Sequence, residues 1–219
     1  PKLNDMTMGW RLGELVMIGG GTGIGKTLAM THLASHVLKT TDFNIGVIFL
    51  EDPTIEAARR FPSVISKNPY HLPNFTFDQT EYERAVRDTL GSNRIYFYNN
   101  ENFAANSGEE ILNRIKMMIR VYNVKVIYID HITFIVSASA EGDERRQLDE
   151  LMTKLKAITV NEGVNIHAVS HFKRLSGLPH EEGAEGSLAD FRGSGAIAQL
   201  ANGAICFERN GQAPDELSR

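Results

Sequence analysis

Eight consecutive residues constrain this chain more than any others. Gly20, Gly21, Thr22, Gly23, Ile24, Gly25, Lys26 and Thr27 spell G-x-x-x-x-G-K-T. An apolar run over 14–18 leads into them and a helix-compatible run begins near Thr27, the strand-loop-helix setting in which such a segment wraps a polyphosphate. Glycines let successive backbone N–H groups and the helix N-terminus turn toward anionic oxygens. Lys26 then reaches the β and γ oxygens, and the Thr27 hydroxyl ligates magnesium. Without both flanks the octapeptide would be an ordinary glycine-rich turn. With them it implies a nucleoside triphosphate ligand, and it leaves open what the triphosphate energy drives.

Apolar runs at 15–18, 45–50, 95–98, 126–129, 164–169 and 203–207 alternate with longer segments of helical period. That alternation predicts an α/β fold, a mostly parallel twisted sheet flanked by helices. Ser107 and Glu110 form a capping-box start for a helix to Tyr122, with Ile111, Leu112, Ile115 and Ile119 at helical spacing. A second helix is expected through 145–161, with Leu148, Leu151, Leu155 and Ile158 on one face and Gly163 as its stop. Three prolines in 62–74 argue for an irregular surface excursion there. The Gly-, Glu- and Ser-rich stretch 175–189 reads as an exposed, mobile loop.

At 219 residues the chain suits one sizeable domain, and we read 1–219 as a single unit. No apolar stretch is long enough to span a bilayer. A net charge of −4 confines any nucleic-acid contact to a local patch. The one cysteine, Cys206, has no internal partner and sits in an apolar run as a buried strand residue, which fits a reducing, cytoplasmic interior.

Ligands of open parallel sheets bind outside the carboxyl ends of the strands, so polar residues just past the apolar runs are the site candidates. Asp130, closing 126–129, is a candidate to position magnesium with Thr27. Glu51, closing 45–50, is the candidate to orient and deprotonate an attacking water. Asp52 competes for that task, but the Pro53-Thr54 that follows suits it to a helix cap. His171, after 164–169, could sense the γ-phosphate or be merely structural. His131 reads as a packing neighbour of the site.

Together the 20–27 loop, Leu50-Glu51, Tyr128-Ile129-Asp130-His131, Ser170-His171-Phe172-Lys173 and Asp190-Phe191-Arg192-Gly193-Ser194-Gly195 resemble the RecA-like motor domain of replicative hexameric DNA helicases. The likeness is strongest to the helicase half of phage primase–helicases, which are related to Twinkle and DnaB. It implies a P-loop motor that hydrolyses ATP or dTTP with Mg2+, moves on single-stranded DNA as a homo-hexamer, and works beside a primase and a polymerase in a bacterial or phage-infected cell. Position by position, it implies that Lys26 and Thr27 serve triphosphate and metal, Glu51 catalysis, Asp130 the metal and His171 γ-phosphate sensing. Lys173, Arg174, Arg192 and Gln199 then belong to the DNA-facing and subunit-facing motifs. The alternative is a RecA-like recombinase or helicase-loader module that binds nucleotide without unwinding.

Two departures qualify the likeness. Where phage relatives carry several lysines after the sensor histidine, this chain has Lys173 and Arg174 followed by Glu181, Glu182 and Glu185. Weaker or more salt-sensitive DNA binding is expected. The family also continues beyond the equivalent of Arg219 into a hairpin bearing an arginine finger. A chain lacking that finger, the N-terminal docking helix and a primase domain is expected to hydrolyse ATP poorly alone.

Overall fold

The computed structural model describes residues 2–70, 72, 74–98, 108–137, 144–173, 179–192 and 194–208. Among them, six strands form one sheet: β1 (Leu15–Gly20), β2 (Asn44–Phe49), β3 (Ile95–Phe97), β4 (Val124–Asp130), β5 (Asn165–His171) and β6 (Gly203–Phe207). The order is β3-β2-β4-β5-β1-β6, and every neighbouring pair is parallel. The helices are α1 (Lys2–Thr7), α2 (Lys26–Thr40), α3 (Thr54–Ser66), α4 (Gln79–Thr89), α5 (Gly108–Tyr122), α6 (Ile132–Ser137), α7 (Glu144–Glu162) and α8 (Ser194–Leu200). The predicted α/β class is therefore observed.

A parallel sheet covered on both faces needs strands that are apolar on both sides. In β4, Ile127 and Ile129 enter the core shared with α5 and α7, while Val126 and Tyr128 enter the core shared with α2 and α3. The alternation is the two-residue period of a strand, with both faces buried. Helix α7 supplies Leu148, Leu151, Met152, Leu155 and Ile158 to its core at three- and four-residue spacing. Gly163, at φ 62°, then turns the chain into β5, the stop anticipated from the sequence. Helix α5 is present as expected, although its Ser107 cap lies outside the described residues.

Three expectations need correction. Helix α3 runs straight through Pro62 to Ser66, so the excursion expected over 62–74 begins only at Lys67, whose φ of 62° ends the helix. A proline inside a helix costs about 3 kcal/mol. Here Phe61 is fully buried edge-on against Phe97 at 5.6 Å, and the Ser63 and Ser66 hydroxyls donate to the Arg59 and Pro62 carbonyls at 2.8 Å. Burial of Phe61 and Pro62 against the sheet offsets the proline. The 175–189 loop is not uniformly exposed either: within its described part, short turns form at His180–Glu182 and Leu188–Asp190, and His180 is buried against the Phe172 ring at 4.7 Å. Cys206 is only half-buried, because β6 is an edge strand. Among the described residues no helix is long and apolar enough to cross a membrane.

One buried polar group ties stability to pH. The His167 ring stacks on Tyr128 at 5.1 Å and meets Trp10 edge-on at 4.7 Å. Burial pushes its pKa down to about 3, whereas an unfolded histidine titrates near 6.5. Between those values the unfolded chain binds the extra proton, so this contribution is complete above about pH 6.5 and is lost as pH falls toward 3. Urea unfolding at pH 7 and pH 5 should show the unmodified protein losing about 2 kcal/mol more than His167→Leu. Equal losses would remove His167 from the acid limb.

Candidate functional site

Parallel register sets the strand ends level. Gly20 pairs with His171 across β1 and β5, and Phe49 pairs with Asp130 across β2 and β4. The Leu50 N–H bonds the Asp130 carbonyl at 2.7 Å, so Glu51 leaves the sheet beside Asp130. Gly20, Glu51, Asp130 and His171 therefore share one rim, as anticipated for a parallel sheet.

The phosphate-type loop joins β1 to α2 at that rim. Gly25 is the residue before α2 and adopts φ 94°, a left-handed conformation that side-chain-bearing residues rarely reach. Nothing lies within 4 Å of where a Cβ would stand at Gly23 or Gly25, so the loop presents open backbone to the rim. The Lys26 ammonium is buried and donates to the carbonyls of Gly20 at 3.1 Å and Gly21 at 2.5 Å. The Thr27 hydroxyl donates to Asp130 Oδ2 at 2.5 Å. Burial raises the Asp130 pKa, against the opposing influence of that bond and of nearby His131 and Lys26. A hydroxyl beside a buried carboxylate is a hard-oxygen pair of the kind magnesium selects, so Thr27 and Asp130 fit the ion the motif implies.

On the other side of the rim stands a second cluster. His131 Nε2 lies 3.0 Å from Glu51 Oε1, and the His131 and His171 rings meet edge-to-face at 4.2 Å. The peptide between Asp130 and His131 is cis. Burial, reinforced by His131 and Lys26, lowers the His171 pKa to about 4, so its imidazole is uncharged near neutrality. Glu51, His131 and His171 line a cleft of about 580 Å³ with Gly20, Lys173 and Arg192. Asp52 is not the helix cap expected from the sequence: its carboxylate pairs with Arg60 at 2.5 Å, and the residue preceding α3 is Pro53. Sequence reasoning undervalued His131, a buried ring at the centre of this cluster; its place directly after the strand-end aspartate was the available signal.

The four cationic or polar residues assigned to DNA do not all meet. Lys173 and Arg192 are exposed on the cleft. They are linked through backbone, because the Lys173 N–H bonds the Asp190 carbonyl at 2.7 Å and the Arg192 N–H bonds the His171 carbonyl at 3.2 Å. Between them Phe172 and Phe191 form an antiparallel bridge with rings 5.1 Å apart. A Cβ added at Gly19 would fall 2.3 Å from Phe172 and 2.4 Å from Phe191, so the β1 backbone rests directly on both rings. Gln199 is exposed on α8 outside the cleft lining, and Arg174 lies outside the described residues.

Comparison with known proteins matches this arrangement to one family. The model of the DnaB-like helicase C-terminal domain matches residues 1–217. A DNA helicase/primase of Enterobacteria phage T3 is 32% identical over 215 residues, covering 96% of this chain and 38% of the phage protein. The replicative DNA helicase DnaB of Helicobacter pylori is 24% identical over 204 residues, covering 92% of this chain and 41% of its own length. The chain thus spans well under half of either relative. A solved DnaB-like replicative helicase superposes with a TM-score of 0.79 at 18% identity, covering 98% of this chain and 52% of that one, which fixes the RecA-like fold. With residues 1–217 matched, the chain belongs to the DnaB-like helicase C-terminal domain family.

Proposed function

We propose that the chain is the motor domain of a replicative DNA helicase, hydrolysing ATP or dTTP to move along single-stranded DNA. The observation that carries this is the common rim: Glu51 and His171 line the cleft with Gly20, Gly21 and Thr22 of the loop, and Lys26 and the Thr27–Asp130 pair lie buried at the same strand ends. In this reading the 20–27 backbone and Lys26 bind the triphosphate, and Thr27 and Asp130 hold Mg2+. Bound there, the ion would neutralise charge on the phosphate oxygens. Glu51 orients a water and takes its proton as the water oxygen bonds to the γ-phosphorus and the bond to the β-phosphate oxygen breaks. Uncharged His171 offers a hydrogen bond to the γ-phosphate, and its carbonyl is bonded to Arg192, which ties the nucleotide side to the cationic side of the cleft.

Lys173, Arg174, Arg192 and Gln199 are proposed to face DNA or a neighbouring subunit, and Lys173 and Arg192 flank the same opening. The phage relative is named a helicase/primase, and the solved DnaB-like structure is described with its primase interactions. On that basis the assembly proposed is a homo-hexameric ring that works with a primase and a polymerase in the cytoplasm of a bacterial or phage-infected cell. Residues 1–219 act in it as one RecA-like unit.

Two measurements test this. In the full-length protein, Glu51→Gln should lower kcat for hydrolysis by about 10²-fold or more while nucleotide affinity stays within a few-fold. Unchanged turnover would remove Glu51 as base. Lys173→Ala and Arg192→Ala should each weaken single-stranded DNA binding and reduce its salt slope by about one phosphate contact. If DNA never alters the hydrolysis rate of the full-length protein, a nucleotide-binding module without unwinding is the better description.

A further inference from the structure

The ring of His131 is oriented by contacts that do not involve Glu51. The backbone N–H of Phe134 donates to His131 Nδ1 at 3.1 Å, and the Thr133 hydroxyl meets the same atom at 2.5 Å. The Phe134 ring packs edge-on against it at 5.8 Å, and the residue is only 6% exposed. The Phe134 N–H, shared between Nδ1 and the His131 carbonyl at 3.2 Å, can only donate, which favours an accepting Nδ1 and a ring proton on Nε2. Nε2 is the atom 3.0 Å from Glu51 Oε1. His131 therefore donates to one oxygen of the carboxylate.

Glu51 needs such a partner. Its side chain is 54% exposed, and a long, exposed glutamate samples several rotamers. We infer that His131 is a positioning residue for Glu51: by holding Oε1, it presents Oε2 to the attacking water. The inference rests on the reading of Glu51 as base. Orientation of a general base is worth a large share of its effect, because misplacement by about 1 Å can cost 10²-fold in rate.

The same atoms admit a rival. Ligand atoms of Glu51, His131 and His171 lie within 4.8 Å of one another, as in a two-histidine, one-carboxylate metal site. A metal needs a lone pair on the nitrogen that faces it, and the Phe134 N–H leaves the His131 lone pair on the opposite nitrogen. The contacts at Nδ1 favour a hydrogen-bonded carboxylate clamp over a metal centre.

The test uses the full-length protein, with steady-state hydrolysis of ATP by His131→Ala, His131→Gln, Glu51→Gln and the Glu51→Gln/His131→Ala pair. Nitrogen-15 NMR of histidine-labelled unmodified protein reads the tautomer independently of any variant. His131→Ala should lower kcat by about 10- to 100-fold with KM for ATP within twofold. His131→Gln, which keeps a donor at the outer position, should recover most of the loss. In the Glu51→Gln background the alanine change should add nothing. Protonated Nδ1, an equal additional loss in the double variant, a raised KM at unchanged kcat, or a faster His131→Ala enzyme would each overturn the inference. A fully active Glu51→Gln single variant sinks the base assignment itself and the positioning role with it. An inactive Glu51→Gln beside a fully active His131→Ala sinks only the positioning role.

Discussion

Strand register is the constraint on which the rest of this molecule depends. Gly20 opposite His171 and Phe49 opposite Asp130 bring four chain segments, distant in sequence, to one edge, the two pairs offset by two residues. A slip of one residue in β2 or β5 would send Glu51 or His171 to the other face, since side chains alternate across a strand. Register is protected by the strands' own composition: β1 is buried along its whole length, and β4 and β5 nearly so, each feeding alternate residues to two separate cores. The rim is thus specified by apolar residues of the two cores beneath it.

At that rim, burial sets the electrostatics. Asp130 is nearly enclosed, and the Thr27 hydroxyl at 2.5 Å is the bond that offsets its desolvation. Lys26, equally enclosed, turns its ammonium onto loop carbonyls. Glu51 by contrast is open to solvent and borrows its orientation from the buried ring of His131. The rim therefore joins buried charged groups, Lys26 and Asp130, to an exposed carboxylate, Glu51.

Much of this was readable in the chain because the relevant signals are local. The glycine spacing, the apolar runs and the polar residue closing each run gave the sheet, the loop and three of the acids and histidines at the rim. What escaped were features decided by distant contacts. Pro62 breaks helices in isolation, but Phe61 buried against Phe97 keeps α3 intact around it. Asp52 reads in sequence as a helix cap, but its carboxylate is taken by Arg60 and Pro53 precedes α3. The value of His131 depends on Phe134 and Thr133 fixing which nitrogen donates, and no periodicity reports that.

Gly19, Phe172 and Phe191 add a restriction of a different kind. The paired rings of Phe172 and Phe191 also form the surface on which Gly19 of β1 lies, with no room for even a methyl group between them. Nucleotide loop and cation-bearing loop consequently share a single mechanical foundation. A side chain introduced at Gly19 would have to displace both rings, so a change in the strand that leads into the glycine-rich loop also moves the anchor of Lys173 and Arg192.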